Sequence, residues 1–178
     1  MTDRRRVVVT GLGVISPLGV DSVEDYWESL KAGKSGIGPL TLADATLFPC
    51  KVAGEVTQFD PGKYINLKEA RRMGRFTQMA VAAAQLGMEN AGLNLSDEDP
   101  DNVGVLLGNG NGDLPTTQSN AWTVFEQGAM RISPFFVPMI LPNMAAGTVS
   151  RVLGIRGYTN TVTTACAAGT QAIGEAVE

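Results

Sequence analysis

Cys166 is the residue whose type and setting best fit covalent chemistry. It lies in VTTACAAGTQAIGEA, residues 162–176, where a β-branched run from Val162 to Thr164 meets a small-residue helical pattern. A cysteine in the first turn of a helix faces unsatisfied backbone N–H groups and the positive end of the helix dipole, which favour thiolate over thiol. The same N–H groups can hold an oxyanion, as at a nucleophile elbow. The neighbours that would leave room for a substrate are small: Ala165, Ala167, Ala168 and Gly169.

A structural role for Cys166 stays open on spacing alone, because free cysteine is among the residue types most often buried. Cys50, in FPCKVAGEV, has no comparable context and is interpreted as structural. With two cysteines and no histidine, the chain offers neither a disulfide framework nor the usual ligands of zinc. This cysteine use predicts a reducing, cytoplasmic compartment, and nothing in the sequence calls for a cofactor or a metal.

The composition is that of a globular protein with a substantial core. The 178 residues are 44% hydrophobic and only 18% charged, which disfavours a disordered chain. A net charge of −4 gives no general reason to bind nucleic acid, although a local basic patch can still meet an acidic protein. No apolar run is long enough to span a membrane. RRRVVVTGLGVISPLGV imitates a signal peptide, yet its glycines and the lack of a convincing cleavage site favour a strand followed by a turn.

Strands and helices alternate along the chain. The predicted strands are Val7–Thr10, a short one within Lys51–Val56, Val103–Leu107 and Tyr158–Thr164. The predicted helices run from a cap at Asp21 or Ser22 to about Ala32, over Lys68–Asn90 with one amphipathic face, and from a cap at Asn143 to about Leu153. This alternation predicts an α/β fold with a mostly parallel sheet that is covered on both faces.

Two glycine clusters invite a dinucleotide or phosphate interpretation. In GLGVIS the sixth position is Ser16 instead of glycine, Pro17 follows, and the next helix starts too late for a pyrophosphate cradle. GNGNGD, after the strand near residue 105, lacks the Gly-Lys-Ser/Thr of a phosphate-binding loop. Turn chemistry is therefore favoured for both clusters, with glycine permitting a positive φ or a close backbone approach.

Three motifs make the chain similar to a known family. They are VVVTGLGVISPLG near the start, ISPFFVPMILPNMAAG from Ile132 to Gly147, and TACAAG from Thr164 to Gly169. Their order and spacing resemble the β-ketoacyl-acyl-carrier-protein synthases, closest to the type II elongating condensing enzyme. The resemblance implies a homodimer with a thiolase-like αβαβα fold. Residues 1–178 would form an incomplete N-terminal half of that domain, with an irregular insertion at about 34–66.

The resemblance also implies a reaction. Cys166 would accept an acyl chain as a thioester, and a malonyl group on acyl carrier protein would lose CO₂ and attack it, giving a 3-oxoacyl product. The N–H of Cys166 would supply one oxyanion-hole donor. The acyl pocket would include Asn111, Phe136 and Ala165. The acidic carrier protein would meet a basic group made of Lys68, Arg71, Arg72 and Arg131.

Several of these implied roles compete with a plainer interpretation. Asn111 stands where the family usually has an apolar residue, and a solvent-facing loop residue is the alternative. By periodicity alone, Phe135–Pro138 indicates buried core. The basic group could equally be a solvated helix face. Gly74 replaces a usual Asp in RRMGRF, which affects local helix packing.

The family also uses histidines from the second half of a longer chain, whereas this sequence contains none. Decarboxylation would therefore lack its polarising groups, and the chain is expected to be a fragment of a larger synthase. Three function classes follow: a condensing enzyme or its nucleophile-bearing part, a noncatalytic synthase partner or dimerisation fragment, and a dinucleotide-binding module. GLGVIS disfavours the last of these.

Overall fold

The computed structural model describes residues 6–178, which form two compact units. One unit comprises residues 10–60 and 82–93, and the other comprises residues 6–9, 61–81 and 94–178. The predicted strand Val7–Thr10 is wrong, because these residues lie outside regular secondary structure and pair with no strand among the described residues. A β-branched run needs backbone partners to form a strand, and intrinsic propensity alone does not supply them.

The unit of residues 10–60 and 82–93 contains two short antiparallel ladders and a capped helix. Strands β1 (Ile15–Ser16) and β2 (Gly19–Val20) pair with each other, as do β3 (Gly38–Pro39) and β4 (Val52–Ala53). Helix α1 spans Val23–Lys31, and the Ser22 hydroxyl accepts its capping bond from Asp25 N–H at 3.0 Å. The helix and cap predicted near Ser22 are confirmed, and the strand predicted within residues 51–56 is confirmed over Val52–Ala53.

A carboxylate fixes the loop after β3. Both oxygens of Glu55 accept the N–H of Thr41, one accepts the Thr41 hydroxyl at 2.6 Å, and the other accepts the N–H of Leu42 at 2.8 Å. The Thr41 hydroxyl and then the Leu42 N–H lower the pKa of Glu55, because these donors stabilise its charged form. The predicted irregular stretch is therefore held by specific polar contacts even though it contains little regular structure.

The long helix predicted over Lys68–Asn90 is divided. Helix α2 spans Leu67–Ala70 and α3 spans Arg75–Ala91. A methyl group on Gly74, at the break, would lie 2.4 Å from Met139 O and 2.8 Å from Asp113 Oδ2. Apolar spacing could not predict this break, because it results from a close backbone approach by a segment far along the chain.

The remaining elements form the parallel part of the fold. Helices α4 (Leu114–Gln127), α5 (Phe136–Ile140) and α6 (Met144–Leu153) connect strand β5 (Val105–Gly108) to β6 (Thr159–Val162), and α7 spans Ala168–Val177. Strands β5 and β6 are parallel, with Val105 opposite Thr159 and Gly108 opposite Val162. The α6 bounds agree with the prediction, although the Asn143 side chain makes no capping bond. Within residues 6–178 the predicted parallel sheet is this single pair.

Small residues form most of the core around β5 and β6. Helices α6 and α7 both pack on β5 and on β6. The buried residues of these elements are Val105, Ala145, Ala146, Thr148, Val149, Val162, Ala168 and Ala172. Alanine on the helix faces allows the helix backbones to approach the sheet closely, which matters for the turn that follows β6.

Candidate nucleophile site

The candidate site is formed by the two loops that leave the carboxyl ends of β5 and β6. Because the strands are parallel and end in register at Gly108 and Val162, the segments that follow them emerge at the same edge of the sheet. In open α/β sheets this edge is the usual position of binding sites. The segment after β6 carries Cys166, and the segment after β5 carries Asn111.

Cys166 lies in a tight turn between β6 and α7. Residues Ala165–Ala167 form one 3₁₀ turn, and α7 begins directly afterwards at Ala168. The cysteine thus lies two residues before the α-helix, in the 3₁₀ turn that leads into it, whereas the sequence predicted it within the first turn of the α-helix. Ala165 has a φ of +50°, which is uncommon for a residue with a Cβ and typical of functional turns.

The backbone around the sulfur leaves donors available. In the turn, Ala167 N–H donates to Thr164 O at 3.1 Å, and Ala168 N–H donates to Ala165 O. Within residues 6–178, Cys166 N–H has no acceptor. No side chain caps the N-terminus of α7. An exposed thiol beside a free N–H and an uncapped helix N-terminus can attack a carbonyl carbon and stabilise the resulting oxyanion.

Both cysteines are free and exposed. The Cys50 thiol is exposed and donates to Val52 O at 3.4 Å, and its structural role stays a prediction. The buried alternative for Cys166 is contradicted by its exposure. Exposure therefore does not distinguish the two thiols, and the strand-to-helix turn is the feature that sets Cys166 apart.

The loop after β5 is fitted closely against the Cys166 turn. A methyl group on Gly108 would lie 2.3 Å from Ala168 O, and one on Gly110 would lie 3.6 Å from Ala165 O. Glycine at position 108 is thus required by the approach of α7 to the end of β5. This explains the GNGNGD cluster as close packing and turn formation, in agreement with the turn interpretation.

The predicted pocket residues occupy three different segments. Asn111 is exposed in the loop after β5, and Phe136 is half-buried at the start of α5. Ala165 is exposed in the turn Ala165–Ala167, called the nucleophile turn below. The Gly110 contact brings the loop after β5 and the nucleophile turn together. The core interpretation of Phe135–Pro138 is wrong, because none of these residues is buried. Helix α5 is short, and its side chains remain accessible.

The basic group is exposed throughout. Lys68 lies in α2, Arg71 and Arg72 follow that helix, and Arg131 lies in a 3₁₀ turn after α4. The Arg72 guanidinium stacks 4.7 Å from the centre of the Phe135 ring, which fixes the position of its charge. Across the part of the chain that the structure describes, none of these four cations forms an ion pair.

Sequence reasoning missed two polar residues beside the site, Asp113 and Asn109. The buried Asp113 carboxylate accepts from Thr116 N–H at 2.8 Å and from Arg75 N–H at 3.0 Å, so it serves two helix N-termini. Asp followed by Leu-Pro-Thr is a helix-cap signal that could have revealed the first bond. No local signal indicates the second bond, nor the contacts that Asn109 makes.

An exposed cysteine in a tight strand-to-helix turn, at the carboxyl edge of a parallel strand pair, is the arrangement of an α/β protein with a candidate nucleophile site. A family model, the N-terminal domain of beta-ketoacyl synthase, matches residues 4–178. The chain therefore belongs to the β-ketoacyl synthase family, and the resemblance inferred from its motifs is confirmed.

Similar proteins carry the corresponding names. The 3-oxoacyl-[acyl-carrier-protein] synthase 2 of Synechocystis is 43% identical over 174 residues, covering 98% of this chain and 42% of that protein. The protein of the same name from Staphylococcus aureus (strain N315) is 43% identical over 176 residues, covering 99% and 42%. The chain thus spans less than half the length of these relatives.

Solved structures of similar proteins confirm the thiolase-like α/β fold. The ishigamide ketosynthase/chain length factor superposes with a TM-score of 0.86 at 35% identity, over 94% of this chain and 42% of that chain. A ketosynthase in complex with its type II polyketide acyl-carrier protein superposes with a TM-score of 0.80 at 27% identity, over 97% and 46%. Among the helices of residues 6–178, none combines the length and apolar character that a membrane crossing requires.

Proposed function

We propose that this chain is the nucleophile-bearing, N-terminal part of a condensing enzyme that extends an acyl chain held on Cys166. The observation that carries the proposal is the exposed Cys166 thiol in the turn between β6 and α7, beside its own free N–H. Residues 1–178 would be part of one thiolase-like domain, with residues 34–66 as its irregular insertion.

The first half-reaction is acyl transfer. The Cys166 sulfur attacks the carbonyl carbon of an acyl thioester on acyl carrier protein, while the Cys166 N–H stabilises the developing oxyanion. The bond from the carbonyl carbon to the carrier sulfur breaks, and the released carrier thiol takes up a proton. The acyl chain is then a thioester of Cys166.

The second half-reaction is decarboxylative condensation. Malonyl carrier protein loses CO₂, and the resulting carbanion attacks the carbonyl carbon of the Cys166 thioester. A carbon–carbon bond forms, the bond to the Cys166 sulfur breaks, and the product is a 3-oxoacyl carrier protein longer by two carbons. This chain has no histidine, so polarising groups for decarboxylation must come from other parts of a longer protein.

Acyl carrier protein is the proposed partner. The exposed, unpaired basic group of Lys68, Arg71, Arg72 and Arg131 supports electrostatic attraction of an acidic protein. A ketosynthase of similar structure is known in complex with an acyl-carrier protein. Two exposed free thiols fit a reducing compartment, so we place the protein in the cytoplasm.

A second copy of the chain is the proposed dimer partner. Helix α4 has no buried residue, and its Trp122 and Phe125 rings form an exposed pair with centroids 6.0 Å apart. Strand β6 pairs with β5 alone among the described residues and exposes Thr159 and Asn160. An exposed apolar helix face and an unpaired strand edge each favour burial against a second protein surface.

Intact-mass measurement tests the proposed function. The full-length protein is incubated with acyl carrier protein bearing an acyl chain, and a mass increase equal to that acyl group is expected. Cys166→Ala should abolish the increase, and Cys50→Ala should preserve it. Cys50 is a matched control because both thiols are free and exposed. Acylation that persists in Cys166→Ala would reject the nucleophile, and no acylation of the unsubstituted protein would favour a noncatalytic synthase partner.

A further inference from the structure

Asn109 connects three segments around the candidate site. It is the first residue after β5, and its N–H donates to Val162 O at 3.0 Å, at the end of β6. Its Oδ1 accepts the N–H groups of Asn111 and Gly112, each at 3.2 Å. Its Nδ2 donates to Pro142 O at 3.2 Å, in the connection between α5 and α6. One half-buried side chain therefore determines both the shape of the loop and its attachment.

The loop that Asn109 shapes lies between two backbone segments. On one side, a methyl group on Gly110 would lie 3.6 Å from Ala165 O in the nucleophile turn. On the other side, Gly112 has a φ of +78°, and a methyl group there would lie 2.1 Å from Ile140 O. A shift of this loop consequently changes the space beside Cys166.

We propose that Asn109 is a positioning residue that determines which acyl chain lengths Cys166 accepts. The inference rests on the proposed function. Asn109 acts through its neighbours: it holds Gly110 against the nucleophile turn and fixes the exposed Asn111. When its bonds are lost, the loop moves away from Pro142, and the space available to a long acyl chain changes more than the space needed by a short one.

Two substitutions separate the contributions of the side chain. Asn109→Asp is nearly isosteric and keeps an acceptor for the N–H groups of Asn111 and Gly112, but it cannot donate to Pro142 O. Asn109→Ala removes all three side-chain bonds. Asn120→Ala is the matched control, because half-buried Asn120 makes a similar amide bond to Thr116 O at 2.9 Å within α4.

The readout is the ratio of Cys166 acylation rates for a long and a short acyl chain on carrier protein, measured on the full-length protein by intact mass. Loss of one hydrogen bond corresponds to about fivefold, so Asn109→Asp, which loses one bond, should change this ratio by about fivefold. Asn109→Ala, which loses three, should change it at least as much, and Asn120→Ala should not change it. A ratio that stays constant, including an equal slowing for both chains, would overturn the proposal. If Asn109→Ala does not fold, the ratio of acylation rates measured for Asn109→Asp alone tests the proposal.

A second measurement is independent of enzymatic acyl transfer. In a Cys50→Ala background, Cys166 is alkylated with iodoacetamide and with its N-dodecyl derivative, and the ratio of the two rates should also shift in the Asn109 variants. If the unsubstituted protein forms no thioester, the proposed function fails, while this ratio still tests the positioning role. An unchanged alkylation ratio would reject that role.

Discussion

The carboxylate of Asp113 accepts a hydrogen bond from the backbone N–H of Arg75, 38 positions earlier in the chain, at 3.0 Å. Its other oxygen accepts from Thr116 N–H at 2.8 Å and caps α4. Gly74, immediately before Arg75, has no side chain, and a methyl group there would lie 2.8 Å from the same carboxylate. Asp113 therefore caps the N-terminus of α3 as well as the N-terminus of its own helix, α4.

Asp113→Ala should destabilise the full-length protein by about 2 kcal/mol, because it removes the side-chain caps of two helices at about 1 kcal/mol each. Asp113→Asn should lose about half of that amount, because the two N–H groups meet different oxygens of Asp113, and the amide NH₂ that replaces one of these oxygens cannot accept a hydrogen bond. Urea unfolding measures both effects. Equal stability of Asp113→Asn and the unsubstituted protein would contradict the shared-cap arrangement.

Gly108→Ala should destabilise the protein by about 1–3 kcal/mol and slow acylation of Cys166, because its methyl group would lie 2.3 Å from Ala168 O. The new atom would separate the end of β5 from the start of α7, where Cys166 lies. Gly147→Ala is the control, since no atom lies within 4 Å of a methyl group there, and it should raise stability by up to about 1 kcal/mol. Thermal unfolding and intact mass report the two effects, and normal acylation by Gly108→Ala would argue against this contact.

Thr41→Val should raise the pKa of Glu55 towards its ordinary value, because the Thr41 hydroxyl is the main cause of its lowering. A carboxyl with a lowered pKa stabilises the folded state above the unfolded pKa and loses this contribution as the pH falls through the folded pKa. The relevant window therefore begins near pH 4.5 and extends below it.

NMR titration of the Glu55 carboxyl carbon measures this effect in the Thr41→Val protein. Thr46→Val is the matched control, because the Thr46 hydroxyl is the main cause of the lowered pKa of Asp44. Each variant should raise the pKa of its own carboxyl partner alone. A Glu55 pKa that does not respond to Thr41→Val would show that the hydroxyl contact is not its cause.

Arg71→Glu and Arg72→Glu should each slow association with acyl carrier protein by about tenfold at low salt and reduce its salt dependence. Lys34→Glu makes the same charge change at an exposed residue outside the basic group and should have a much smaller effect. Arg72→Lys keeps the positive charge and should therefore associate at nearly the unsubstituted rate, although it loses the guanidinium that lies 4.7 Å from the centre of the Phe135 ring. Stopped-flow association rates that match for Arg71→Glu and Lys34→Glu would reject a directed docking surface.

Trp122→Glu should weaken self-association by about thirtyfold or more, because it places a charge at the centre of an exposed aromatic pair. Leu47→Glu changes a residue that is similarly exposed, at 72% against 61% for Trp122, and should leave the dimer intact. Sedimentation at several concentrations gives the dissociation constants. A dimer that tolerates Trp122→Glu must use another surface.

Sequence patterns correctly predicted those helices and strands that are determined by residues close to them in the chain. Ser22 precedes an amphipathic segment, and α1 begins there with its hydroxyl as the cap. The β-branched residues before Cys166 predicted β6 and the turn. The break at Gly74 and the coil at Val7–Thr10 depend on distant backbone groups, or on their absence, so periodicity could not reveal them.

In the candidate site too, features determined by neighbouring residues were predicted, whereas features determined by distant residues were not. Cys166 was predicted from its setting between a strand and a helix, and its exposure agrees with that role. Asn109 was missed because its partners, Val162 and Pro142, become neighbours only when the sheet has formed. A sequence pattern therefore identifies a candidate nucleophile more readily than the residues that hold its surroundings in place.

The parallel pairing of β5 with β6 also governs when the site can form. Val105 and Thr159 are paired, and joining them closes a loop of roughly fifty residues at an entropic cost of about 3 to 4 kcal/mol. The intervening helices have more local contacts and can form earlier during folding, whereas the strand pair has to wait for this long-range closure. A nascent chain therefore has no assembled candidate site until the residues of β6 have left the ribosome, and the loops that follow β5 and β6 meet only when this strand pair has formed.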